Sequence, residues 1–334
     1  MIELRHQITK GNFTLDVDVE IPGTGVTGVF GESGSGKTTL LRCIAGLEGA
    51  SDVPVQKRNV GYVFQQPTLF EHLDVAGNID YGLKRAKTRR VDRTQVIEML
   101  DIGALLQRRP ASLSGGEAQR VAIAAALLRS PDLVLMDEPL ASLDRRRKDG
   151  LLPYVDRLHN ELSVPVIYVS HDIDEVSRLC DHLVVLEAGT VAVSGNLFDV
   201  LSHADVRLLS GRNAGVVLWA TPVDVEDGLT KFDFADGDIW VPGEFQTGRL
   251  PMRLRIAASD VSITRERPTQ TTILNVLRAT IEEIRQVDEA RAIVRMGIGN
   301  QDLLAQVTNR SVKRLALREG DRVFAQLKSV TVRH

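Results

Sequence analysis

Eight residues, GESGSGKT at positions 31–38, constrain this chain more than any other stretch. A glycine, four free residues, then glycine, lysine and a hydroxyl residue is the spacing of a phosphate-binding P-loop. The flanks fit it. Residues 26–30, VTGVF, read as a short buried strand, and residues 37–47 as a helix. In that order the backbone N–H groups of the turn point inward around an anion, and the helix adds its positive N-terminal end. Gly31, Glu32, Ser33, Gly34, Ser35 and Gly36 are expected to wrap the phosphates, with Thr39 beside them in the first helical turn. Lys37 is placed to reach the β- and γ-phosphates, and the Thr38 hydroxyl to bind Mg²⁺. A glycine-rich turn matching by chance would lack both flanks, so the motif implies a nucleoside triphosphate.

Upstream, Phe13, Leu15, Val17 and Val19 alternate with polar residues, the mark of a strand with one buried face. An aromatic ahead of a P-loop can stack on adenine, since every base offers a π-face. Phe13 is the candidate, and a place in the core explains it equally well. Downstream, residues 59–64 read as another strand that ends at Gln65. Open α/β sheets bind ligands at the C-terminal ends of their strands, so Gln65 is expected to face the metal.

A helical stripe over residues 91–106 carries Val96, Met99, Leu100 and Leu105 on its apolar side. It leads to LSGGEAQR at 113–120 and an apolar helix. Ser114 suits an N-cap. Gly115 and Gly116 leave backbone N–H groups open at a helix start, which makes a second anion site. A capped helix alone explains the serine but not the paired glycines.

The continuous apolar run 133–136 reads as a buried parallel strand delivering Asp137 and Glu138 to its end. Asp137 suits the Mg²⁺ shell, and Glu138 the task of orienting or deprotonating an attacking water. A further buried strand, 164–169, ends in Ser170-His171-Asp172. It places His171 on the same sheet edge as Glu138 and the phosphate loop, the position of a catalytic histidine.

Composition narrows the partners. Lys and Arg number 41 against 44 Asp and Glu, so no overall basic field argues for nucleic acid. No apolar run approaches the roughly 18 residues of a membrane span. The first ten residues lack the apolar core of a signal peptide. Cys43 and Cys180 sit in no pair motif and read as small buried residues of a cytosolic protein.

GESGSGKT, Gln65, LSGGEAQR, LVLMDE, Ser142-Leu143-Asp144 and His171 occur in the order found in the ATP-binding cassette ATPases, which residues 1 to about 205 resemble. The resemblance implies an α/β P-loop ATPase domain and a head-to-tail homodimer with ATP between the subunits. On that pattern Ser114, Gly115, Gly116 and Asp144 act on ATP held by the partner's P-loop, which accounts for the second anion site. The segment after Gln65, including Leu69 and Phe70, typically meets a coupling helix of a membrane subunit in this family.

Beyond residue 203 the pattern changes to short alternating segments at 216–220, 231–235, 238–241, 253–257, 261–264, 279–283, 292–296 and 323–330. Such spacing suggests a small all-β barrel or sandwich. The expected division is an ATPase domain over 1–210 and a β-rich domain over 213–334. The tail resembles the OB-like Mop/TOBE domains of importer ATPases, with a Mop-like module at about 270–334. Residues 255–262, RIAASDVS, followed by 271–277, TTILNVL, are similar to the ATPases of molybdate importers. Thr271, Thr272 and Asn275 are the candidates for an oxyanion there, although Leu274 stands where that family has arginine. The resemblance implies a peripheral ATPase at the cytoplasmic face of the inner membrane. Its expected partners are two integral-membrane permease subunits and, through them, a solute-binding protein. The cargo it implies is molybdate or tungstate, with sulfate, iron or polyamine as alternatives. A non-transport ATPase of the same family would be expected to carry two cassettes or coiled-coil insertions, and an oxyanion-storage protein would leave the ATPase motifs unexplained.

Overall fold

The computed structural model describes residues 1–49, 58–86, 90–141, 148, 150–152, 154–155, 164–203, 214–235, 237–248 and 251–333. The chain divides into two compact units, Met1–Asn196 and Leu197–His334. Part of the expected boundary stretch at 210–215 and the arginine run 145–147 lie outside the described residues.

The first unit is built on one eight-stranded sheet in the order β1-β2-β8-β7-β3-β6-β5-β4. β1 (Ile2–Lys10) and β2 (Phe13–Ile21) form an antiparallel hairpin. β3 (Val26–Phe30), β4 (Val60–Val63), β5 (Leu133–Asp137), β6 (Val166–Ser170) and β7 (His182–Glu187) run parallel. β3, β5 and β6 are buried at every residue. This is why they read as unbroken apolar runs rather than alternations. β8 (Thr190–Asn196) pairs antiparallel with β7. Helix α1 (Lys37–Ala45) packs Leu40, Leu41, Cys43 and Ile44 into a core shared with Leu15, Val17, Val29, Leu135, Ile167 and Val184.

The stripe over 91–106 is not one helix. α3 (Arg93–Met99) starts on the Asp92 carboxylate, which accepts from Gln95 N at 2.9 Å, whereas α2 (Val75–Leu83) precedes it. α3 stops before Asp101, whose φ of 48° is left-handed, and a 3₁₀ turn follows at Gly103–Leu105. Val96, Met99, Leu100 and Leu105 are all buried nonetheless. α4 (Gly115–Leu127) is the helix expected after LSGG.

The second unit holds two five-stranded antiparallel sheets. One has the order β11-β10-β9-β12-β18 and the other β13-β17-β14-β15-β16. The first is made of β9 (Gly215–Glu226), β10 (Leu229–Phe234), β11 (Gly237–Pro242), β12 (Met252–Ala257) and β18 (Thr331–Arg333). The second comprises β13 (Val261–Thr264), β14 (Asn275–Gln286), β15 (Arg291–Ile298), β16 (Gln301–Thr308) and β17 (Arg322–Leu327). Both contribute to a single apolar core that includes Phe232, Phe234, Ile239, Leu254, Val294, Met296 and Ala325. Two features depart from expectation. The strand expected at 323–330 ends at Leu327, paired with β14, and beyond it β18 crosses to β12 in the other sheet. β16 was not expected. Its Leu303, Leu304 and Ala305 are buried in succession, so the alternation that betrays a half-exposed strand is missing.

Candidate functional site

Because β3, β6, β5 and β4 are neighbours and parallel, the chain leaves all four at the same edge. The register pairs Phe30 with Ser170, Asp137 with Val169, and Val63 with Met136. Thus the loop 31–36, Gln65, Glu138 and His171 all follow strand ends lying side by side, the edge where α/β sheets of this kind bind ligands.

The loop is shaped by glycine. Gly34 and Gly36 have φ of 85° and 103°. A Cβ at Gly36 would lie 2.9 Å from both Leu15 Cδ1 and Phe13 Cζ, and one at Gly31 would lie 2.5 Å from Leu186 O. The Phe13 ring therefore rests on the phosphate loop. Gly36 also occupies the N-cap of α1 and offers no side-chain cap. The N–H groups of the first turn stay open to an anion. Ser35 Oγ is buried without a hydrogen-bond partner, a further polar atom that the fold alone does not satisfy.

Lys37 is 5% exposed and donates from Nζ to the carbonyl oxygens of Gly31 and Glu32, both at 2.8 Å. Burial lowers its pKa, opposed by the charges of Glu138 and Asp137. Its Nζ lies 3.8 Å from Glu138 Oε1. Thr38 Oγ1 donates to Asp137 Oδ1 at 2.9 Å, so residues 99 positions apart meet at the front of the loop. Oxygen donors of this kind suit a hard cation such as Mg²⁺. On the opposite side of Glu138, its Oε2 stands 3.1 Å from His171 Nδ1. Glu138 itself has φ of 44°, a left-handed conformation that costs a non-glycine residue on the order of 1–3 kcal/mol. Bonds from Glu138 N to Val169 O (3.1 Å) and from Ala141 N to Glu138 O (3.1 Å) hold it there.

Tyr62 was not singled out in the sequence. Its hydroxyl donates to Asp137 Oδ2 at 3.0 Å, so the carboxylate is held from both sides. Burial, then the Asp137 charge, raises the Tyr62 pKa and keeps it a donor. Its place in β4 was the available signal: it pairs with Leu135 of β5, two residues before Asp137 on the same face of the strand. Gln65 lies exposed in the bend that follows β4, and Glu32, Ser33 and Thr39 sit in and after the loop.

Ser114 caps α4 in a full capping box. Its Oγ accepts from Glu117 N at 3.4 Å, and its own N–H donates to Glu117 Oε2 at 2.7 Å. Gly115 is exposed in the first turn and Gly116 follows it. Ser142, Leu143 and Asp144 lie outside the described residues.

In the second unit, one candidate is already bonded within the fold. The Asn275 amide is 7% exposed and already committed: Oδ1 accepts from Trp240 N at 2.7 Å and Nδ2 donates to Trp240 O at 2.9 Å. It ties β14 to β11 rather than presenting itself to an oxyanion. Thr271 Oγ1 accepts from Ile273 N at 3.1 Å in a local turn, Thr272 is exposed, and Leu274 is 65% exposed.

Among the described residues no helix is long and apolar enough to cross a membrane. The ABC transporter family model matches residues 15–141, and the TOBE domain model matches residues 271–333. The molybdenum import ATP-binding protein ModC of Methylococcus capsulatus is 46% identical, over 99% of this chain and 99% of its own length. ModC 1 of Azotobacter vinelandii is 44% identical over 99% and 98%. Among solved structures, cbiO1 from Clostridium perfringens, part of an ABC transporter complex, covers 61% of this chain and 92% of its own, with TM-score 0.53 and 25% identity. The ATP-binding cassette MJ0796, in a dimeric post-hydrolysis state bound to ADP and Pi, covers 59% and 99%, with TM-score 0.50 and 25% identity. With relatives this similar along almost the whole chain, and with its phosphate loop, Asp137, Glu138 and His171 gathered at one sheet edge, this chain belongs to the family of molybdenum import ATP-binding proteins, ABC ATPases that end in a TOBE domain.

Proposed function

We propose that this chain is the ATP-hydrolysing subunit of an importer for molybdate or tungstate. The observation that carries the reading is the cluster in which Lys37 and His171 flank Glu138 while Thr38 binds Asp137 beside the phosphate loop. Backbone N–H groups of residues 31–36 and the open start of α1 receive the phosphates, and Lys37 shifts from its carbonyl partners to the β- and γ-oxygens. Phe13, which rests on Gly36, would stack on the adenine. Thr38 and Asp137 would hold Mg²⁺ with Gln65 nearby, and the metal would neutralise charge on the phosphate oxygens. Glu138 orients the attacking water and takes its proton as the water oxygen bonds to the γ-phosphorus and the bond to the β-phosphate oxygen breaks. His171 fixes the Glu138 carboxylate and faces the transferred phosphoryl group.

The exposed start of α4 supports a head-to-tail homodimer in which Ser114, Gly115, Gly116 and Asp144 complete the partner's site. A groove of about 340 Å³ lined by Tyr62, Phe64, Leu69, Phe70 and Tyr81 is where a helix of a permease subunit would seat, at the cytoplasmic face of the membrane. A solute-binding protein would select the ion on the far side. The test is uptake into vesicles carrying the copurified membrane subunits and their binding protein, with ATP inside. Molybdate and tungstate are expected to accumulate only when this chain is present. Uptake of sulfate, iron or polyamine instead would reassign the cargo, and no ATP-dependent uptake would overturn the reading.

A further inference from the structure

Behind His171 lies a buried network that the scheme above does not use. Glu175, in the helix Ile173–Leu179, is 4% exposed. Its Oε2 accepts from Ser170 Oγ at 2.8 Å and from Tyr168 Oη at 3.0 Å, and its Oε1 accepts from Lys148 Nζ at 2.6 Å. Ser170 Oγ in turn accepts from Asp172 N at 3.0 Å, and Asp172 Oδ1 accepts from Asp174 N at 3.0 Å. Asp172 Oδ2 also lies 3.5 Å from Lys148 Nζ.

The arrangement has a direction. His171 is half-exposed, and its Nδ1 stands 3.1 Å from Glu138 Oε2. The two residues that bracket it, Ser170 and Asp172, are bonded to each other, and Ser170 is bonded to Glu175. Lys148, from an earlier part of the chain, bonds Glu175 and stands near Asp172, so it bridges the two carboxylates. A carboxylate with three donors in the interior is costly to assemble unless each is satisfied, and here each is. A fold that needed only to close this helix start could do so with Asp172 alone, which already caps it.

We infer that Glu175, paired with Lys148, is a positioning residue that holds His171 against Glu138. The inference rests on the proposed roles of His171 and Glu138. Displacing a positioned group by about 1 Å can cost on the order of 10²-fold in rate, so the effect falls on turnover rather than on nucleotide affinity.

The test is single-turnover ATP hydrolysis and ATP binding by the full-length protein carrying Glu175→Gln, His171→Ala or both. Glu175→Gln is expected to slow hydrolysis roughly 10- to 100-fold with ATP affinity unchanged. In the His171→Ala background the same change is expected to have almost no further effect, because its route to the chemistry is already cut. An equal loss in both backgrounds would mean that Glu175 acts only on general stability, and no loss beside an intact His171 would also overturn the inference. A silent His171→Ala would instead overturn the role of His171. Lys148→Met, measured in the same two backgrounds, is expected to behave in the same way and serves if Glu175→Gln does not fold.

Discussion

Two sets of polar side chains, one in each unit of this chain, are put to opposite uses. In the first, they converge on one edge of a parallel sheet and face each other across short gaps: Thr38 on Asp137, Tyr62 on Asp137, and Lys37 and His171 on Glu138. Ser35 Oγ and the start of α1 are left unsatisfied. In the second, they close the fold on itself. Asn275 clamps Trp240, Gln301 accepts from Trp219 N and donates to its carbonyl, and Thr230 bridges Gly243 and Phe245. Parallel strands send every C-terminus to one side and so gather loop chemistry there. Antiparallel strands alternate direction, and a side-chain amide is better placed to join two of them. Open valences mark the phosphate loop, and closed ones the pairs that join strands of the second unit.

The largest expected effect lies at the first edge. Glu138→Gln keeps the size of the side chain and its contact with Lys37 but cannot take a proton. Hydrolysis should fall by about 10²- to 10⁴-fold while MgATP still binds and an ATP-bound dimer accumulates. Near-normal turnover in the assembled transporter would show that the sheet edge is not where the water is activated.

Next in size is Gly115→Glu, which sets a carboxylate at the exposed start of α4. Monomeric nucleotide binding should survive and ATP-driven dimerisation fail, as seen by size-exclusion chromatography with and without ATP. Loss of monomeric affinity instead would mean that α4 serves its own subunit's loop.

The opposite arm of the comparison is probed by Asn275→Ala. It leaves the Trp240 N–H and carbonyl without their partners, a cost of about 1–3 kcal/mol. The only tryptophans, Trp219 and Trp240, both lie in the second unit, so fluorescence-detected urea unfolding of the full-length protein reads that unit alone. ATP hydrolysis should not change. Lost turnover without lost stability would erase the distinction between the units.

The smallest effect expected is a direct one of molybdate on the second unit. The Asn275 amide already bonds Trp240, and Leu274 offers no charged hydrogen bond, a contact worth roughly 1.5–3 kcal/mol. Calorimetry of the full-length protein with molybdate, and sulfate as control, should show weak binding and feeble feedback on transport. Submicromolar, molybdate-selective binding would mean that other residues supply the contact.

The amino-acid sequence by itself determined the parts that rest on neighbours in the chain. The phosphate loop, the apolar runs that became β3, β5 and β6, the cap at Ser114 and the acidic pair at 137–138 all follow from local spacing, turn chemistry and burial pattern. The short alternating segments of the tail did the same for most of β9 to β17. Only the tertiary structure decided what depends on residues far apart. It placed Tyr62 on Asp137 and Glu175 between Lys148, Tyr168 and Ser170, forced Glu138 to a positive φ, and committed Asn275 to Trp240. It also sent β18 to the other sheet and buried β16 at three residues in succession. The reason is physical. Helix, turn and strand preferences act over a few residues and leave a periodic trace, whereas a buried hydrogen bond is fixed by which strands become neighbours and in what register.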